Sequence, residues 1–210
     1  MPRAPRLLLS KSFYHIITRG NNKNKTFKAA ADYLAYLDLF RKYKVDHPFD
    51  LYHYCLMPNH THFLIQTHSS DNFSSFMKKL NLSYFYYYKR KYDWIGHFWQ
   101  DRFKSQPVGK DDYFLQCGKY IELNPIRANL VKRVEDYPFS SYRYYVLGED
   151  NDLISEDFTF QTLSRDLEKR RQIYREMIIG EIVSNTYKKK VWGSKKQRYN
   201  EAKKISYHIS

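Results

Sequence analysis

Only two cysteines, Cys55 and Cys117, occur in 210 residues, too few and too isolated for a disulfide framework or a four-cysteine zinc site. A reducing compartment follows. No stretch approaches the roughly eighteen apolar residues that a membrane span needs, and Leu7-Leu8-Leu9 is too short an apolar run for a signal peptide. The expectation is a soluble, cytoplasmic protein with no membrane partner. Acidic residues are also scarce at both ends. None precedes Asp32, although Arg3, Arg6, Lys11, Arg19, Lys23, Lys25 and Lys28 do, and a single acid, Glu201, stands among the eight cations from Lys188 to Lys204. With 36 Lys and Arg against 22 Asp and Glu, the formal net charge is +14. Basic runs at both ends fit a partner built of phosphates; a membrane surface fits less well, because neither end carries a long apolar face.

What the chain has in excess is aromatic: 18% of its residues, 21 of them tyrosines. Such rings pack a core with one end and offer a polar tip or a stacking face with the other, and packing accounts for most of them. The length suits one domain with a real core plus an appendage. Residues 13–18 read as a strand running into the turn-forming Arg19-Gly20-Asn21-Asn22. Tyr33, Tyr36, Leu37 and Phe40 recur as one buried helix face does. Residues 51–57 and 60–67 flank Pro58-Asn59 and read as a hairpin. Phe76, Leu80, Tyr84, Tyr88 and Tyr92 stripe a helix over 73–92, and residues 94–99 form a loop. A short strand near 102–108 then precedes a third helix, capped at Asp111 or Asp112, which runs through Tyr120. The order β-α-β-β-α-β-α predicts an α+β fold with an antiparallel sheet backed by helices. Residues 1–147 form that domain, and 148–210 read as a basic, partly helical extension with no internal repeat.

Chemistry concentrates in two stretches, Pro58-Asn59-His60-Thr61-His62-Phe63-Leu64 and Tyr120-Ile121-Glu122-Leu123-Asn124-Pro125-Ile126-Arg127. On a strand His60 and His62 share a face while Thr61 points away, so the two imidazoles can clasp one metal ion. Alone the pair says little, since 8 histidines give about 0.3 such pairs per chain by chance. Tyr120 and Asn124, four apart, share a helix face. A phenol with an ordinary pKa of about 10 needs a base, a cation or an activated electrophile to act as a nucleophile. A divalent ion held by neutral ligands keeps its full charge for phosphate oxygens. Asn124 is also a favoured helix cap, with Pro125 at home in the first turn that follows. Proline removes the hydrogen bond to Ile121, so the helix bends or ends there. Glu122, on a different face from Tyr120, reads as a solvated charge.

With Phe98-Trp99-Gln100-Asp101-Arg102-Phe103 between them, these motifs resemble the single-tyrosine transposases of the His-hydrophobic-His (HUH) class, and within it the REP-associated tyrosine transposases, over residues 12–145. The resemblance implies a ferredoxin-like or RRM-like HUH domain that cleaves and rejoins single-stranded DNA near hairpins. It implies His60, His62 and Asn124 as ligands of magnesium or manganese and Tyr120 as the nucleophile. The intermediate would be a 5′-phosphotyrosine beside a free 3′-hydroxyl, with no nucleotide cofactor. Asn124 favours the REP-associated branch, since the insertion-sequence branch commonly has Gln there. Thr61 departs from the hydrophobic residue of the class name, but is β-branched and fits a strand. Relatives include monomers and homodimers. Expected DNA contacts are Arg19, Asn21, Lys78, Lys89, Arg90, Arg102 and Arg127, with Lys188, Lys189, Lys190, Lys195 and Lys196 from the extension. Two rivals remain open: a noncatalytic nucleic-acid binder on the same sheet, and a zinc-dependent hydrolase that uses water.

Overall fold

A computed structural model describes residues 8–109 and 112–192, side chains at 112, 183 and 185–192 excepted. Four strands, β1 (Phe13–Arg19), β2 (Phe49–Met57), β3 (His60–Thr67) and β4 (Lys104–Pro107), form one antiparallel sheet in the order β2-β3-β1-β4. The helices α1 (Ala30–Lys44) and α2 (Ser70–Tyr92) connect β1 to β2 and β3 to β4. This is the βαββαβ arrangement that the sequence pattern predicts. The hairpin turns at Pro58-Asn59, as expected.

Side chains alternate across the sheet and divide the molecule into layers. On one face Ile16, Phe63 and Ile65 meet Tyr36, Phe40, Phe76, Leu80 and Tyr84 of α1 and α2, in the largest apolar cluster. The buried positions of α1 and α2 are the ones the helical period picks out. Asp32 near the start of α1 fastens the pair: it accepts the Lys28 and Ala29 backbone N–H groups and bonds Lys91 and Tyr92 of α2.

The opposite face carries the site. It is covered by α3 (Asp112–Glu122), α4 (Asn124–Arg127), α5 (Tyr142–Leu147), α6 (Phe158–Thr162) and α7 (Leu167–Trp192). Leu64 and Cys55 of the sheet pack there with Phe114 and Ile121 of α3. Residues beyond Gly148 join the same body: Leu153 reaches the first cluster, while Phe160, Tyr174 and Ile178 pack with Leu115 of α3 and with Leu123, which follows it. The Ser155 N–H donates to the Leu51 carbonyl. The expected cap at Asp111 lies outside the described residues.

A β-bulge at Tyr52 breaks the alternation of β2. Leu51 pairs with Ile65 and His53 with Leu64, so one residue of β2 is extra. In an unbroken strand Leu51 and His53 share a face; the bulge instead sends His53 to the α3 side while Leu51 stays in the first core. Gly118 lets α3 settle onto that imidazole, because a Cβ there would lie 2.6 Å from His53 Nε2.

Candidate active site

His60 and His62 leave β3 on the α3 side of the sheet, and α3 brings Tyr120 over them. A cleft of about 400 Å³ is lined by His60, His62, Tyr120 and Asn124, together with Ile17, Arg19, Gln100, Asp101, Arg102 and Lys104. The ring centres of His60 and His62 lie 4.7 Å apart, and Tyr120 stands edge-on to His62 at 6.2 Å. The tyrosine is 44% exposed, open to a ligand from solvent.

Asn124 has a task in the backbone that also orients it. The chain passes from α3 to α4 at Leu123, which takes the cap position expected for Asn124, and Asn124 is the first residue of α4. Pro125 has no N–H to give Ile121, and Asn124 Nδ2 takes that place, donating to the carbonyls of Ile121 at 3.1 Å and Tyr120 at 2.9 Å. With its amide nitrogen so engaged, Oδ1 is the atom left for a ligand. The proline bend and the orientation of the Asn124 amide are therefore one feature.

The imidazoles of His15, His60 and His62 are neutral near pH 7. Burial pulls His62 down to about 2, helped by the charges His15 and His60 would carry. Burial, then the nearby Arg19, takes His60 down to about 4. His15 also falls to about 4, burial outweighing a hydrogen bond with Gln106 that raises it. Neutral imidazole is the form that binds metal. The fit to a cation is visible in one atom: His62 Nδ1 is paired with His15 Nε2 at 2.9 Å, while the buried His62 Nε2 has no hydrogen-bond partner. An orphaned buried nitrogen is costly unless something occupies it. His60 Nδ1 meets Asn59 Oδ1 at 2.5 Å, so its Nε2 is the remaining ring nitrogen. Two nitrogens and an amide oxygen suit a divalent cation with open positions for phosphate.

The other expected DNA contacts divide by position. Arg19 and Arg102 line the cleft, and Asn21 opens the short 3₁₀ turn Asn21–Lys23 beside Arg19. Lys78, Lys89 and Arg90 are exposed on α2, in the layer across the sheet from His60 and His62. Arg127 lies over the Tyr120 ring at 4.6 Å and donates to the Tyr120 carbonyl and to Glu181 Oε1 of α7. Lys119 approaches the other oxygen of Glu181 at 3.8 Å. The side chains of Lys188, Lys189 and Lys190, and all of Lys195 and Lys196, lie outside the described residues.

Glu122 corrects the sequence reading. It is fully buried rather than solvated, and it takes hydrogen bonds from Ser141 and Tyr174 and contacts His53 Nδ1 at 2.9 Å. Sequence reasoning also gives no role to His15, Lys104 and Gln100. For His15 the available signal is a lone polar residue in Phe13-Tyr14-His15-Ile16-Ile17, which becomes meaningful only once β1 is known to lie beside β3.

Comparison with known proteins places the chain in a family. A family model described as "Transposase IS200 like" matches residues 9–124, a range that contains His60, His62, Tyr120 and Asn124. A REP-associated tyrosine transposase of Escherichia coli (strain K12) is 28% identical over 102 residues, 48% of this chain and 59% of that protein. A putative REP-associated tyrosine transposase of Haemophilus influenzae (strain ATCC 51907 / DSM 11121 / KW20 / Rd) is 27% identical over 139 residues, 60% of this chain and 78% of that protein. The chain thus spans about three-fifths of the Escherichia coli relative. A solved structure of a REP-associated tyrosine transposase bound to a REP hairpin superposes with a TM-score of 0.59 at 21% identity, covering 75% of this chain and 91% of that one, and it shares the fold. With more than half of its length matched by the family model, the chain belongs to the IS200-like transposases.

Proposed function

We propose that this protein cuts and rejoins single-stranded DNA at hairpins, with Tyr120 as nucleophile and a magnesium or manganese ion held by His60, His62 and Asn124. The observation that carries the reading is the cleft in which the exposed Tyr120 faces His60, His62 and Asn124 between cationic walls. The hairpin is taken from the relative solved with a REP hairpin.

Arg19, Arg102 and Lys104 line the cleft and are placed to hold backbone phosphates. Arg127 fixes the Tyr120 ring from one side while the His62 and His15 rings limit it from another. The bound ion supplies Lewis-acid polarisation of the scissile phosphate. The Tyr120 oxygen attacks phosphorus, its bond to the 3′ oxygen breaks, and the proton the phenol loses is matched by one the departing 3′ oxygen gains. One phosphate ester replaces another, so the reverse attack by a 3′-hydroxyl reseals DNA without a nucleotide cofactor.

End-labelled hairpin DNA incubated with the chain and magnesium or manganese, then run on a denaturing gel, tests this. The expected result is a labelled protein–DNA adduct that Tyr120→Phe abolishes while hairpin binding stays near wild type, because only the hydroxyl is lost. Adduct persisting in Tyr120→Phe would move the nucleophile to another tyrosine. Cleavage without adduct would favour attack by water, and binding without cleavage a noncatalytic role.

A further inference from the structure

His15 stands behind the proposed metal site and takes no part in the chemistry proposed there. It sits on β1, directly beside β3, and is only 6% exposed. Its ring stacks on that of His62, centres 5.1 Å apart and planes at 23°, with His15 Nε2 2.9 Å from His62 Nδ1. On its other side β1 pairs with β4, where His15 lies directly opposite Gln106, whose side chain holds the His15 pKa up against the effect of burial. Gln106 is exposed at the sheet edge.

Two neutral imidazoles sharing one hydrogen bond have two possible arrangements: the shared proton sits on His62 Nδ1 or on His15 Nε2. The orphaned His62 Nε2 decides between them for a site that takes a cation, because a nitrogen that gives its lone pair to a metal carries no hydrogen. Its proton then belongs on Nδ1, which donates to His15 Nε2. With Nε2 accepting, His15 carries its own proton on Nδ1, and only a hydrogen-bond acceptor can meet it there; the amide oxygen of Gln106 is one.

We propose that Gln106 and His15 form a relay that sets the tautomer of His62, presenting the bare Nε2 to the cation. This rests on the metal-assisted reading of the site. The relay Gln106 Oε1, His15, His62, cation crosses three adjacent strands, β4, β1 and β3, so the sheet itself holds the ligand in register. His15 is a positioning residue in this scheme: it touches neither DNA nor the ion. Outer partners of this kind orient the ligand ring and raise its basicity, and their loss typically weakens metal affinity about 10–100-fold.

The test begins on the metal-free full chain with long-range ¹H–¹⁵N correlation of the imidazole nitrogens near pH 7. His62 is expected as the Nδ1–H tautomer in wild type, with that preference lost in His15→Phe. Manganese binding, followed by electron paramagnetic resonance, should weaken about 10–100-fold in His15→Phe. His15→Gln, whose amide oxygen can accept in place of Nε2, should recover most of it. Gln106→Leu changes an exposed residue, so folding is not at stake, and it should weaken binding in the same direction by less. His62 found as the Nε2–H tautomer in wild type, or equal manganese affinity in wild type, His15→Phe and Gln106→Leu, would overturn the relay. A chain that shows the tautomer and the His15-dependent affinity yet makes no phosphotyrosine adduct would keep the relay and sink the enzymatic reading instead.

Discussion

Two buried histidines lie on the same face of the sheet, two residue pairs apart on neighbouring strands, and they have opposite fates. His53 of β2 has both ring nitrogens satisfied, Nδ1 by Glu122 of α3 and Nε2 by Asp157 at the start of α6, each at 2.9 Å. Burial opposes charge on His53, but hydrogen bonds and attraction from Asp157 and Glu122 outweigh it and raise the pKa to about 9. His62 of β3 has one nitrogen shared with another neutral imidazole and one with no partner, and burial drives it down to about 2. The same side chain on the same surface is an imidazolium strut in one place and a neutral ring with a free nitrogen in the other. Carboxylates make the difference: where they close around the ring it joins elements together, and where they are missing it stays available to a cation.

Exchanging the two roles by mutation gives the largest effects. His53→Ala leaves Glu122 and Asp157 buried without their cation, which should cost about 3–5 kcal/mol of folding stability. His62→Ala removes a buried nitrogen that has no partner but also leaves His15 Nε2 unpaired, so it should cost about 1–3 kcal/mol, less than His53→Ala, while suppressing cleavage by about two orders of magnitude or more, the scale of a lost transition-state charge contact. Chelator should reproduce the loss of cleavage in wild type. Urea denaturation and the adduct gel, run on both variants, check this. A His62→Ala protein as unstable as His53→Ala would erase the distinction.

The pH dependence sharpens the contrast without mutation. His53 has its folded pKa raised to about 9, so its contribution is fully present below the unfolded value of about 6.5 and is lost as pH rises through 9. His15, His60 and His62 are lowered to about 4, 4 and 2, so the unfolded chain binds more protons than the folded one below about 6.5, and stability falls as pH falls from there. A urea midpoint measured from pH 5 to 10 should therefore decline on both sides. The alkaline limb should flatten in His53→Gln and the acid limb should persist. An alkaline limb unchanged in that variant would show that His53 is not the group responsible.

How much of this the sequence disclosed depends on how far apart the partners lie along it. The hairpin at Pro58-Asn59, the buried stripes of α1 and α2 and the pairing of Tyr120 with Asn124 are local patterns, readable from periods of two and 3.6. The His60 and His62 pair is local too. His15 meets His62 across 47 residues, and the strand register that joins them is not written in either segment. Glu122 misleads because a helix face with polar residues looks solvated until its cover is known, and the cover includes Tyr174, 52 residues later. His53 is hidden by the bulge at Tyr52, since strict alternation puts it with Leu51 on the wrong face. In α7 the described buried positions are Tyr174 and Ile178 on a mostly polar helix, too narrow a stripe to announce a packed element.

The smallest expected effect concerns the place where α7 touches the site. Glu181 holds Arg127 on one oxygen and approaches Lys119 with the other, and Arg127 in turn lies over the Tyr120 ring. Unlike the sealed His53 network, this pair is open to water, the side chains of Arg127 and Glu181 being 31% and 25% exposed. Pairs in such surroundings contribute about 0.2–1 kcal/mol. Glu181→Gln should therefore leave the urea midpoint almost unmoved. If Glu181 helps keep Arg127 against Tyr120, the rate of adduct formation at saturating hairpin should fall by no more than about fivefold, the same energy expressed as a rate. Arg127→Met, which removes the cation itself, should slow the reaction more than Glu181→Gln does, without matching His62→Ala. Single-turnover adduct formation in the three variants orders them. A Glu181→Gln defect as large as that of His62→Ala would mean that the α7 contact acts together with His60 and His62, and that satisfied carboxylate pairs on this face are not confined to holding elements together.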